Sequence, residues 1–155
     1  MPNVAYLHLI LNHFPIIVNL CAIGVLLIGI FGRNDSVQRV ALLLFIVTTL
    51  FTVAADLTGD GAADLVKNLV GVDPSAIRPH DRSATLTMTL LSADGVAALA
   101  GWIAWRRPKV FPSWFLLAIL VLGLAGAAAV TRTAFLGGKI HHPEGQENVG
   151  IQPAE

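Results

Sequence analysis

Apolar residues in this chain fall into four long stretches, separated by short polar connectors. They run from Val4 to Phe31, from Val40 to Leu57, from Ala84 to Trp105 and from Phe111 to Leu136. A helix needs roughly 20 mostly apolar residues to cross the hydrocarbon core of a bilayer. The pattern therefore predicts an all-α fold, an integral membrane four-helix bundle over residues 1–145, followed by a polar tail at 146–155. Only the connector between the second and third spans is long. Within it, Ala62, Leu65, Val66 and Leu69 recur at helical spacing, which predicts a short amphipathic helix over Gly61–Val70 lying on the membrane. Asp73-Pro74 marks a turn after it. In the fourth span Gly123 and Ala127 form a small-xxx-small pattern for close helix approach, and Gly137-Gly138 is expected to end that helix.

Composition agrees with the pattern. The 155 residues are 55% hydrophobic and 13% charged, and the mean hydropathy is +0.71. These values lie outside the range of soluble domains. Formal net charge is zero, so nothing points to a nucleic-acid partner. Cys21 is the single cysteine, which leaves no disulfide within the chain and no thiolate cluster. The first apolar run lacks a basic leader and a small-residue cleavage site, and reads as a retained span rather than a signal.

Charge orients the bundle. An even number of crossings puts both termini on one face. The two short loops of the other face carry Arg33, Arg39, Arg106, Arg107 and Lys109, so that basic face is expected to be cytoplasmic. Trp102, Trp105 and Trp114 cluster near it as an interfacial belt would. The terminal face, with the acidic connector and tail, is expected on the periplasmic side of a bacterial inner membrane.

Topology then gathers the histidines. His8 starts the first span, His13 lies further along it, His80 precedes the third, and His141 and His142 follow the fourth. All five belong to the terminal face. Helical phase puts His8, Asn12, Pro15 and Asn19 on one stripe, and His80, Ala84, Thr87, Leu91, Asp94, Ala98 and Gly101 on another. Polar groups in lipid are costly, so both stripes should face the bundle. His13 is about 140° from His8 on an ideal helix. Either a kink at Pro15 brings the two together, or they serve different sites. Asp94 and Arg132 are the intramembrane charges. Asp94 is either a proton site or a neutral group fixing helix register by bonding Asn19 or Thr87. Arg132 should meet an anion, either Asp56 or a cofactor carboxylate.

These residues also resemble a known family. Leu7-His8 followed by His13-Phe14-Pro15-Ile16 looks like the H-x(4)-H-F-P-I opening of small four-helix bacterial membrane proteins catalogued as a domain of unknown function. Leu57-Thr58-Gly59-Asp60 with Gly61-Ala62-Ala63-Asp64 is similar to that family's T-G-x-x-A segment. The run from Gly71-Val72 to His80-Asp81 resembles its G-V…H-E entry into the third helix. Gly137-Gly138-Lys139-Ile140-His141-His142-Pro143-Glu144 resembles its G-G-x-I-R-H-x-E close, on which His142 takes the family histidine and His141 replaces an arginine. The resemblance covers nearly the whole chain and implies a fold rather than an activity.

Three chemistries stay open. The first is haem b, held by axial imidazoles from His8 or His13 on one side and His80 or His142 on the other, with Arg132 or Arg82 pairing a propionate. It implies electron transfer with quinone or a periplasmic redox protein. The second is a copper or zinc site on the same His8, His13, His80 and His142, with His141 in reserve and Asp81 and Glu144 beside them. The third is a non-catalytic subunit of a larger complex, a homo-oligomer or a small transporter with a pH-sensitive histidine cluster. No H-E-x-x-H, G-x-S-x-G or phosphate loop is present, so an electron carrier or binding protein is expected rather than a hydrolase.

Overall fold

The computed structural model describes residues 3–105 and 110–141. Its helices are α1 (Val4–Leu11), α2 (His13–Phe31), α3 (Asp35–Val66), α4 (Pro74–Ala104) and α5 (Ser113–His141), and no strand occurs among the described residues. Taken together, α1 and α2 form the first of four rods long and apolar enough to cross a membrane; α3, α4 and α5 are the others. The fold is an all-α four-helix bundle. Packing runs in a ring from α2 to α3, α4, α5 and back to α2, while α1 rests on α3.

Local chemistry starts the helices where they start. Asn3 Oδ1 accepts from the Tyr6 amide at 2.9 Å, Asn34 Oδ1 from Ser36 and Val37, and Asp73 Oδ1 from Ser75. Each supplies an acceptor to amides that have none in a first turn. Pro74 follows Asp73 in the first turn of α4, where its missing N–H costs nothing. The tight connection between α2 and α3 holds Arg33 at φ 47°, and Gly71 takes φ 81° in the turn before α4.

Three boundaries differ from the sequence expectation. The separate amphipathic helix is absent: α3 continues through Thr58-Gly59-Asp60-Gly61 to Val66. The glycines read as a break lie under α1. A Cβ on Gly61 would be 3.2 Å from Val4 and one on Gly59 3.7 Å from His8, so tertiary packing outweighs their weak helix propensity. Likewise α4 begins at Pro74, well before Ala84. And α5 runs through Gly137-Gly138 to His141, because Gly137 is covered by the His80 ring rather than left as a cap. The first rod does break, at Asn12, as expected near Pro15: proline has no N–H for the Leu11 carbonyl.

Buried side chains divide by height. The basic end is a dry core of Ala22, Leu26, Leu42, Phe45, Ala98, Phe115 and Ile119. There Trp105 packs on Phe111, Trp114 and Phe115, and Arg39 donates to the Trp105 carbonyl at 2.8 Å with its guanidinium over Phe111. The other half of the interior mixes apolar side chains with Asn19, Thr52, Ser83, Thr87 and Asp94. Meanwhile Ile17, Ile28, Leu50, Val96 and Leu117 point outward and are exposed. Such a surface would drive association in water and is the lipid face of a membrane protein.

Candidate functional site

Both expected stripes face inward. On the first rod Pro15 and Asn19 are buried; on α4 Thr87, Leu91, Asp94, Ala98 and Gly101 are. The Asp73 amide donates to the Ile140 carbonyl at 3.0 Å, which ties the start of α4 to the end of α5. His8, on α1, and His80, on α4, therefore occupy the same end.

The two imidazoles are held alike. His8 Nδ1 lies 2.9 Å from the Ala55 carbonyl oxygen and 3.1 Å from Thr58 Oγ1, both on α3. His80 Nδ1 lies 3.0 Å from the Thr133 carbonyl oxygen on α5. A carbonyl only accepts, so each Nδ1 carries the proton and donates it. In the neutral form of each ring Nε2 then keeps its lone pair. A backbone carbonyl on the far nitrogen is the arrangement that orients a ligating histidine and raises its basicity. The rings are half-buried and within electrostatic reach of each other. Small residues border them: a Cβ on Gly137 would lie 3.1 Å from His80 Cε1. At this end α1 packs on α3.

The remaining candidates lie elsewhere. His13 is exposed; the break at Asn12 does not turn it inward, and its Nδ1 donates to the Leu9 carbonyl at 2.7 Å. Arg132 is also exposed. The expected pairing with Asp56 is not made: the one salt bridge among the described residues joins Lys67 to Asp64 at 2.8 Å. Arg132 neighbours Thr133, which faces the bundle, and successive helical residues diverge by about 100°. His141 closes α5, its side chain lies outside the described residues, and so do His142 and the basic residues of 106–109. Among the described residues no three His, Cys, Asp or Glu side chains converge as a metal cage would require. A four-ligand zinc or copper site thus has too few donors among them, whereas haem asks for only two imidazoles.

Below the histidines lies a cluster of hydroxyls, of which sequence reading had placed only Thr87 inside. Ser83 Oγ and Thr87 Oγ1 both bond Thr133 Oγ1, at 2.8 and 2.9 Å. A signal existed: Thr133 falls on the same stripe of α5 as Gly126 and Gly123. Deeper still, Asn19 donates Nδ2 to the Gly123 carbonyl at 3.0 Å. The expected bond from Asp94 to Asn19 or Thr87 is absent. Both Asp94 carboxyl oxygens and Asn19 Oδ1 are buried without a hydrogen-bond partner.

No protein-family model, curated protein or solved structure matches the chain.

Proposed function

We propose that this chain is a membrane b-type cytochrome-like protein, holding haem b between His8 and His80 at the end of the bundle they share. One observation carries the reading: two imidazoles from different helices share that end, each with Nδ1–H on a backbone carbonyl, which leaves Nε2 as the ligating atom. When bound, the group would supply one-electron exchange. The protein's own contribution is positional. Ala55 and Thr133 fix ring orientation, Gly59 and Gly137 let the rings lie close against α3 and α5, and the apolar core at the basic end separates the site from the opposite face. With Arg33 and Arg39 on that opposite face, the site would lie on the periplasmic side of an inner membrane, within reach of quinone or a periplasmic redox protein.

The absorption spectrum of protein purified from haem-replete cells tests this. A Soret band is expected, lost in His8→Ala and in His80→Ala and kept in His13→Ala. Colourless protein that also fails to take up added haemin overturns the reading. Stoichiometric copper or zinc in that colourless protein replaces it with a metal site.

A further inference from the structure

Asp94 lies in the middle of α4, 1% exposed, with no donor for either carboxyl oxygen. Its surroundings explain neither its charge nor its retention as a register-setting group. Asn19, fully buried, spends its amide on Gly123 and leaves Oδ1 bare. Asn19 and Leu91 meet the same residue, Gly126, so Asn19 stands within about one turn of Asp94. Three acceptors thus share a dry region that offers them no donor. A bare carboxylate there would be costly. A proton turns the carboxyl into the missing donor.

No other charge sets its state. On α3, Gly95 meets Thr49 and the Phe45 carbonyl, which gives the level of Asp94. At that level α2 carries the Cys21 thiol, which is exposed on the outer face; the titratable residues next nearest on the neighbouring helices are Arg39 and Asp56 on α3, Arg132 on α5 and His13 on α2. By residue count each is roughly two turns away at ~3.6 residues per turn. Arg39 is engaged with Trp105 and Phe111, and Asp56, Arg132 and His13 are exposed.

The two directions out of this region differ. Toward the basic end the interior is closed by Ala98, Phe45, Leu42, Leu26, Phe115 and Ile119. Toward the histidine end stand the Ser83, Thr133 and Thr87 hydroxyls and then the imidazoles. Between Thr87 and Asp94 the buried stripe of α4 holds one side chain, Leu91.

We propose that Asp94 is a proton-binding site at mid-bilayer, reached from the histidine end past the Ser83, Thr133 and Thr87 hydroxyls and gated by Leu91. The proton comes from water at that end and forms the carboxyl O–H; none passes the dry core. This does not depend on haem, since neither imidazole is a ligand of the carboxyl.

Infrared difference spectroscopy on protein in lipid nanodiscs tests it. A protonated-carboxyl stretch is expected that weakens as pH rises and shifts in D2O. Asp94→Asn should remove it, and Asp94→Glu should move it without removing it. Leu91→Ala should speed the D2O shift severalfold, and Thr87→Val should slow it. A band absent at every pH, or unchanged by both pH and D2O, overturns the proposal. So does a band that sodium abolishes at constant pH, which would make the ligand a metal cation. An exchange rate indifferent to Leu91→Ala removes the gate and the route.

Discussion

At the scale of single residues, glycine decides how closely these helices approach. A Cβ on Gly95 would run into the Thr49 side chain and lie 3.0 Å from the Phe45 carbonyl oxygen, while one on Gly24 would meet nothing within 4 Å. The same substitution should therefore have opposite effects. Gly95→Ala is expected to cost about 1–3 kcal/mol by forcing α3 from α4. Gly24→Ala should be neutral or gain up to about 1 kcal/mol from helix propensity. Thermal unfolding in one detergent compares them; equal effects would contradict the close approach at Gly95. Gly137 poses a chemical version of the question. Alanine there crowds His80 at Cε1 and Nδ1, at 3.1 and 3.2 Å. If His80 is an axial ligand, Gly137→Ala should move the Soret maximum or reduce haem occupancy while the protein still folds.

Elements meet through groups that serve two helices at once. Thr133 bonds its own chain at Ala129 and also takes both α4 hydroxyls, Ser83 and Thr87. Thr133→Val keeps the shape and strands those two hydroxyls. The expected loss is about 1–3 kcal/mol, with recovery in Thr133→Ser, read from unfolding midpoints. The break between α1 and α2 is the other element-scale device. Pro15→Ala restores the N–H that Leu11 lacks and should straighten the rod. That would draw His8 from Ala55 and Thr58. If His8 is an axial ligand, weaker haem retention with undiminished helical circular dichroism is the predicted result; unchanged retention would show that the break does not position His8.

The whole molecule is ordered by chain direction across a membrane. In a Cys21→Ser background, Asn3→Cys and Asn68→Cys should react with an impermeant maleimide from one side, and Ser36→Cys from the other. All three positions are exposed. Labelling of residues 3 and 68 from opposite sides would contradict the even-crossing bundle. At this scale the interior is uneven, with most buried hydroxyl, amide and carboxyl groups in the middle and toward the histidine end, and Gln38 and Arg39 buried at the basic one. Any activity is accordingly expected to open to one face only.

Hydropathy alone determined that there are four rods, because crossing hydrocarbon leaves so little freedom in length and polarity. Alternation of direction then placed His8 and His80 at one end, and 3.6-residue periodicity put Asn19 and Asp94 inside. These depend only on solvent and helical geometry. Packing decided the rest. Which histidines pair could not be read near Pro15, where a break makes ideal phase meaningless; the structure turns His8 in and leaves His13 out. Glycines that signal helix ends in isolation became contact surfaces for His8, Val4 and His80, so α3 and α5 ran on through them. Arg132 and Thr133 are adjacent in sequence, yet only the threonine reaches the interior. Long-range contacts choose which face of a helix is covered, and those contacts are not written in any local window of the chain.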